Sequence, residues 1–199
     1  MNKLIAITGG IGSGKSTVSK IIRDLGFIVL SCDDVYAELL ERESFVKDVS
    51  LLVGVAPLIE KGRLVLNRRG IADKVFTDAS LKKSLEEFTH PAIMNEIFSR
   101  AALANEPVFV EVPLLFETGF DARFDNVIIV KRPLNQRLSA VCLRDGVDEE
   151  AVKRKIKNQF DYENNCLNGH TVIYNDFDLK SLQRKTEAAI NEIFKQTGI

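Results

Sequence analysis

The chain has 199 residues, of which 45% are hydrophobic and 28% are charged, and its formal net charge is −1. This length allows one globular core with small insertions, and the near-neutral charge argues against a nucleic-acid partner. The three cysteines form no CxxC pair, so we expect neither a zinc site nor a disulfide scaffold, and we predict a cytoplasmic location. Because the apolar run near the N-terminus is only four residues long, we expect no signal peptide and no membrane partner.

Short apolar runs along the chain predict the strands of one sheet, and helical periodicity fills the gaps between them. Strands that alternate with helices imply parallel crossovers, hence an α/β fold with a three-layer parallel sheet. The predicted strands are residues 3–8, 27–31, 107–112, 126–131 and 171–174.

Two regions are too long or too polar for simple crossovers. Residues 34–90 read as an inserted helical substrate-binding subdomain, with the core at approximately 1–33, 91–135 and 169–199. Residues 136–168 are rich in charged and amide side chains, which is typical of a mobile lid and equally of a solvated helical hairpin. We predict that all three parts form a single domain over residues 1–199.

The stretch "TGGIGSGKST" at residues 8–17 matches the phosphate-loop pattern G-x-x-x-x-G-K-[ST] between a buried strand and an amphipathic helix. Glycines leave room for several N–H groups to converge on a phosphate, and the helix N-terminus favours negative charge. Lys15 is expected to reach the β- and γ-phosphates, and the Ser16 hydroxyl to ligate Mg²⁺. The alternative is a plain glycine-rich turn, which does not require Lys followed by Ser. The predicted ATP-binding residues here are Gly10, Ile11, Gly12, Ser13, Gly14, Lys15, Ser16 and Thr17.

Carboxylates follow two predicted strands, at the edge of the sheet where ligands bind in open α/β folds. Asp33 and Asp34 end the run "SCDD"; one of them could take a proton from an attacking hydroxyl, or an aspartate could cap the next helix. Glu111 lies in "VEVPLLFE" and could hold a Mg²⁺-bound water, or be a solvated strand end. Glu117, the last residue of this run, is expected on the acceptor side.

The runs "ITGGIGSGKST", "CDD", "THP", "VPLLFE" and "LRDG" together resemble the dephospho-coenzyme A kinase family, in that family's order and over nearly the whole chain. The resemblance implies a P-loop kinase core with a helical substrate domain and a lid. It implies transfer of the ATP γ-phosphate to the ribose 3′-hydroxyl of dephospho-coenzyme A, with ATP and Mg²⁺ as cofactors.

The resemblance also suggests roles for single residues beyond the phosphate loop. Asp33 matches the proposed base. The other positions each have a structural alternative to the functional role: a helix break for His90, a solvated charge for Arg68 and an ion pair for Arg144. The implied assignments are catalysis for Asp33, Lys15 and Arg144, acceptor binding for Asp33, Arg68, His90 and Glu117, and an adenine contact for Asn175.

The chain departs from the family pattern mainly in the predicted lid. Positive charge is missing where the lid often carries an arginine or other basic residue, which removes groups that stabilise a transferring phosphoryl group. Nearby Arg137, Lys153 and Lys155 are candidates to compensate. The positions without the usual positive charge are Ala140, Asn165 and Cys166, and Ser31 and Tyr174 stand where the family often has an acidic residue.

The predicted activity is therefore an ATP-dependent kinase with an alcohol acceptor, acting on dephospho-coenzyme A as a monomer or small homo-oligomer. Another small-metabolite kinase, acting on a nucleoside or nucleotide, would share the same loop, insertion and lid. A non-catalytic nucleotide-binding regulator is the alternative from a different functional class. It is suggested by the basic residues that the predicted lid lacks. A nucleic-acid-dependent ATPase is disfavoured by the neutral charge.

Overall fold

The computed structural model describes residues 3–165, 167 and 169–197, so Cys166, named among the departures, lies outside the described residues. The chain divides into two compact units, one comprising Met1–Ser31 and Leu103–Ile199 and the other Cys32–Ala102. Within the described residues, no helix has the length and apolar character needed to cross a membrane.

The first unit is built on a five-stranded parallel sheet. Numbered along the whole chain, its strands are β1 (Leu4–Thr8), β2 (Ile28–Ser31), β5 (Val108–Glu111), β6 (Asn126–Lys131) and β7 (Thr171–Tyr174). The strand order is β2-β5-β1-β6-β7. All five strands lie where the apolar runs predict them, within one residue at each end.

The described residues of the same unit form the α-helices α1 (Lys15–Asp24), α6 (Leu134–Asp145), α7 (Glu149–Lys157) and α8 (Leu179–Thr197), with a short 3-10 helix at Asp121–Arg123. Apolar faces of α1 and α8 pack with the sheet into one core, in which Phe27 lies edge-to-face against Phe109 and Phe194. Burying each such side chain contributes about 1.5–3 kcal/mol. The fully buried members include Ile5, Ile7, Val18, Ile22, Phe109, Ile128 and Ile193.

The register of the sheet brings the carboxyl ends of its strands to one edge. Ile7 pairs with Glu111, and Glu111 also pairs with Ser31, so the ends of β1, β2 and β5 are level. On the other side, Lys131 pairs with Tyr174 at the ends of β6 and β7. The carboxyl ends of these strands therefore lie along a common edge, where ligands bind in open α/β sheets.

The second unit contains four helices and one small hairpin. The helices are α2 (Cys32–Leu39), α3 (Glu43–Val53), α4 (Arg68–Thr77) and α5 (Ala79–Ala102), with α2, α3 and α4 each in contact with α5. The hairpin joins β3 (Leu58–Glu60) and β4 (Arg63–Val65), which pair antiparallel. The sequence pattern of this region predicts only helices, so the hairpin was not expected. The sequence signal for the hairpin was the glycine of the two-residue turn Lys61-Gly62. Both turn residues have positive φ, 49° and 79°, as the favoured hairpin turns require.

Helix α5 is continuous across the His90-Pro91 pair, so the interpretation of His90 as a helix-break residue is wrong. Proline removes one backbone donor, and the helix tolerates the loss because the following turns bury Ile93, Met94 and Ile97. The boundary near residue 90 drawn from the sequence falls inside this helix, while the prediction of a single domain over residues 1–199 stays a prediction.

Candidate active site

The loop after β1 has the backbone geometry of a phosphate cradle. Gly9, Gly12 and Gly14 have φ values of 147°, 74° and 97°, and Gly14 is the left-handed N-cap of α1. Residues other than glycine rarely adopt these φ angles. The loop thus turns directly into the helix N-terminus, where free N–H groups and the helix dipole attract an anion.

Three side chains of the loop are placed for contact with a polyphosphate. Lys15 Nζ donates to the carbonyl oxygens of Gly9 and Gly10 at 2.6 and 3.2 Å, so the ammonium group lies across the loop. Ser13 is buried, and its Oγ has no hydrogen-bond partner among the described residues. Ser16 is exposed in the first turn of α1. A bound phosphate would supply the missing partner of Ser13.

Helix α6 packs directly against the outer side of the loop. Arg137 is 6% exposed, and its Nε donates to the carbonyl oxygen of Ile11 at 2.9 Å. A Cβ atom on Gly10 would lie 2.3 Å from Arg137 Nη2, and one on Gly12 would lie 2.8 Å from the Arg137 carbonyl oxygen. Burial lowers the pKa of Arg137, but a guanidinium group stays protonated in proteins. Arg137, which the sequence suggested only as compensation, is thus the arginine that contacts the loop.

The segment after α7 also reaches the loop, which the sequence analysis did not foresee. Gln159 Oε1 accepts from the Ile11 N–H at 2.8 Å, and the hydroxyl groups of Tyr162 and Thr8 lie 3.1 Å apart. Burial raises the pKa of Tyr162 to about 12, so this hydroxyl stays protonated at neutral pH. Tyr162 packs against Phe116 and Phe160 in an aromatic cluster. The signal available in the sequence was the pair of aromatic residues in "QFDY".

The two glutamates of "VEVPLLFE" occupy different environments. Glu111 is the half-buried last residue of β5, level with the end of β1. Glu117 is exposed, and its Oε1 accepts from the backbone N–H of Phe160 at 2.8 Å. Glu111 thus lies beside the start of the loop, while Glu117 binds the segment after α7; their predicted roles stay predictions.

Arg144 does not contact the phosphate loop in this structure. Its Nε lies 2.7 Å from Asp145 Oδ1, and its side chain is 64% exposed. The hydrogen bond with Asp145 raises the pKa of Arg144. Lys153 pairs with Glu149 and Glu150 along α7. The ion pair considered as the alternative for Arg144 is therefore present, and its role with ATP stays a prediction.

Asn175 closes the loop from the side of β7. Its Nδ2 donates to the Ser13 carbonyl oxygen at 2.9 Å, and its backbone N–H donates to Lys131. A Cβ atom on Gly14 would lie 2.3 Å from Asn175 Nδ2. Asn175 thus fixes the loop next to the helix N-terminus, and the adenine contact implied by the resemblance stays a prediction.

Three of the four predicted acceptor residues, Asp33, Arg68 and His90, lie in the second unit, whereas Glu117 lies in the first. Helix α2 begins at Cys32, so neither aspartate precedes it, and Asp33 and Asp34 are exposed in its first turn. The interpretation of an aspartate as the N-cap is therefore wrong. Arg68 is the exposed first residue of α4, close enough to lower the pKa of Tyr36, which burial raises more strongly. His90 is half-buried on α5, and this burial lowers its pKa.

The residues of the loop fit the metal that a kinase requires. The described residues contain no group of three or more histidine, cysteine and acidic side chains that could hold a metal. Kinase Mg²⁺ needs none, because it binds one or two protein oxygens together with substrate phosphates. The Ser16 hydroxyl is exposed in the first turn of α1 and the Glu111 carboxylate is half-buried, which fits the predicted Mg²⁺ contacts of both, and these contacts stay predictions.

Comparison with known proteins assigns this chain to a protein family. The model of the dephospho-CoA kinase family matches residues 3–181. A dephospho-CoA kinase from Thermus thermophilus is 34% identical over 191 residues, covering 96% of this chain and 91% of the relative.

Solved structures agree over the same length. The crystal structure of TT1252 from Thermus thermophilus is 34% identical with a TM-score of 0.81, covering 96% of this chain and 97% of that one. The dephospho-CoA kinase from Campylobacter jejuni is 28% identical with a TM-score of 0.73, covering 99% of this chain and 100% of that one. The parallel sheet and its flanking helices are therefore a P-loop kinase fold, as predicted, and the chain belongs to the dephospho-CoA kinase family.

Proposed function

We propose that this chain transfers the γ-phosphate of ATP to the ribose 3′-hydroxyl of dephospho-coenzyme A, the last step of coenzyme A biosynthesis. The observation that carries the proposal is the phosphate loop, with its three positive-φ glycines and Lys15 lying across it, in a chain of this kinase family. Because ATP and dephospho-coenzyme A are metabolites of the cell interior, a cytoplasmic location is part of the proposal.

The loop would bind the β- and γ-phosphates through its backbone N–H groups and the N-terminus of α1. Lys15 would exchange the carbonyl oxygens of Gly9 and Gly10 for phosphate oxygens, which are stronger acceptors because they are charged. Ser16 and, through water, Glu111 would hold Mg²⁺, which neutralises charge on the phosphate oxygens. These groups stabilise the charge that shifts across the phosphates during transfer.

The acceptor would be bound and prepared by Asp33, Arg68, His90 and Glu117. Asp33 is exposed and therefore accessible to a hydroxyl group, and it would orient and deprotonate the ribose 3′-hydroxyl. Arg68, also exposed, suits the phosphates of the acceptor, because a guanidinium group binds phosphate in a bidentate manner. His90 and Glu117 are the further acceptor contacts that the resemblance implies.

Arg144 would contact the ATP phosphates once it leaves Asp145. An exposed ion pair of this kind contributes little to stability, so a phosphate competes for the arginine easily. Asn175, next to the loop, would contact the adenine. Closure of the lid over the nucleotide would exclude water, which would otherwise hydrolyse ATP.

The direct test is incubation with ATP, Mg²⁺ and dephospho-coenzyme A, followed by mass analysis of the acceptor. One added phosphate on the ribose 3′ position supports the proposal. A panel of nucleoside monophosphates serves as competing acceptors. Phosphorylation of one of these instead, or ATP turnover without a phosphorylated acceptor, refutes it.

A matched pair of variants tests the base. Asp33→Asn removes the proposed proton acceptor, whereas Asp34→Asn makes the same change on the next residue of the same helical turn. We expect only the first to abolish most of the acceptor-dependent turnover. Equal effects of the two substitutions would remove Asp33 from the base role.

A further inference from the structure

Ile11, at the tip of the phosphate loop, is held by the predicted lid segment at three points. Arg137 Nε donates to its carbonyl oxygen at 2.9 Å, and Gln159 Oε1 accepts from its N–H at 2.8 Å. Its side chain packs against the small apolar cluster of Leu138, Val141 and Val152, which joins α6 to α7. Both polar groups of one loop residue and its side chain are thus bound by elements more than a hundred residues away in sequence.

The glycines on either side of Ile11 show how closely this contact fits. A Cβ atom on Gly12 would lie 2.8 Å from both the Arg137 carbonyl oxygen and Val141 Cγ2, and one on Gly10 would lie 2.3 Å from Arg137 Nη2. Real Cβ atoms essentially never come within 3.0 Å of another heavy atom, so a side chain at either position would force a neighbour to shift. At Gly12 one of the close atoms is a backbone oxygen of α6, so the tip of the loop packs closely against that helix.

We propose that Arg137 and Gln159 are positioning residues that hold the Ile11 peptide groups, and with them the phosphate loop, in the conformation that binds the nucleotide. Neither residue needs to touch the phosphates for this role. A loop whose backbone is already held in its binding conformation loses less conformational entropy when ATP binds. The proposal goes beyond the proposed function, and it rests only on the nucleotide being the ligand of this loop.

Nucleotide binding without an acceptor tests the proposal independently of the substrate. We would measure ADP affinity by calorimetry for the full chain and for Gln159→Met and Arg137→Met. Loss of one net hydrogen bond predicts about fivefold weaker binding for Gln159→Met, and loss of a charged donor predicts about tenfold or more for Arg137→Met. Since both act on Ile11, the double variant should lose less than the product of the two effects.

Three controls separate positioning from general stability. Gln183→Met and Arg184→Met make the same side-chain changes on the exposed surface of α8, and should bind ADP like the parent. Arg137→Lys keeps a charged donor, and should recover part of the affinity. In the nucleotide-free protein, NMR hydrogen exchange of the Ile11 amide should become faster in Gln159→Met.

Two outcomes would overturn the proposal. If Gln159→Met and Arg137→Met melt at lower temperature but bind ADP within twofold of the parent, the two side chains only stabilise the fold. If Gln159→Met binds ADP more tightly, Gln159 competes with the phosphate for the Ile11 amide and does not prepare it. KM and kcat for ATP provide the parallel readout, and the proposal requires the larger change in KM.

Discussion

The close contact between the phosphate loop and α6 can be tested with a single methyl group. Gly12 and Gly26 both have positive φ, 74° and 94°, so Gly→Ala at either position forces a side chain into a left-handed conformation. That conformation costs about 1–2 kcal/mol. The surroundings differ: a Cβ on Gly26 meets nothing within 4 Å, whereas one on Gly12 meets Arg137 and Val141 at 2.8 Å.

The difference between the two variants therefore isolates the steric contact. Forcing an extra methyl group into a packed site costs about 1–3 kcal/mol. We expect Gly26→Ala to lose about 1–2 kcal/mol of unfolding free energy and Gly12→Ala about 2–5 kcal/mol. One of the contacts of Gly12 is a backbone oxygen of α6, which cannot rotate away, so the loop itself must shift. ADP affinity should fall in Gly12→Ala alone.

The assay is urea denaturation of both variants and the parent, followed by ADP titration at a temperature where all three are folded. Equal slopes with denaturant would show that only stability has changed. The reasoning is refuted if the two variants lose equal stability and both bind ADP like the parent. In that case the loop does not rest on α6 in solution.

Four further predictions concern single residues. Asp33→Asn should retain ADP binding by calorimetry while turnover falls about a hundredfold or more, and unchanged turnover would contradict the base assignment. Lys15→Met should lower kcat about a hundred- to a thousandfold, because it removes a donor to the transferring phosphate; a smaller kinetic loss would argue against that contact. Arg144→Met should raise KM for ATP with an unchanged melting temperature, since its only described hydrogen-bond partner is Asp145 at the surface. His90 has a lowered pKa because of burial, so its contribution to stability is present above about pH 6.5 and is lost as the pH falls; His90→Gln should flatten this part of the pH–melting profile.

The parts of the fold that depend on local pattern were predictable from the sequence. Strand β6 was predicted residue for residue, because a run of four β-branched apolar residues flanked by Asn126 and Lys131 has few other interpretations. The phosphate loop was predicted because its spacing, its strand and its helix all agree. The β3–β4 hairpin was missed because its strands have three residues each, too short for a period to be visible.

The residues that hold the loop were beyond sequence reasoning for a different reason. Arg137 and Gln159 are separated from Ile11 by 126 and 148 positions, and Tyr162 from Thr8 by 154. No spacing rule connects residues at such distances, since their meeting depends on strand order in the sheet. The sequence singled out Arg144 through its motif, whereas burial against the loop singles out Arg137.

The contrast between these two arginines suggests how the chain functions with alanine at position 140. An arginine on an exposed segment must be ordered when it closes on the nucleotide, and ordering such a side chain costs up to about 2 kcal/mol. This cost applies to the proposed contact of Arg144 with ATP, because the Arg144 side chain is 64% exposed. Arg137 is already buried, and its guanidinium lies against Gly10 before any nucleotide binds. Its charge is therefore present at the loop without an ordering cost, and we expect it to replace part of the positive charge that the lid has lost.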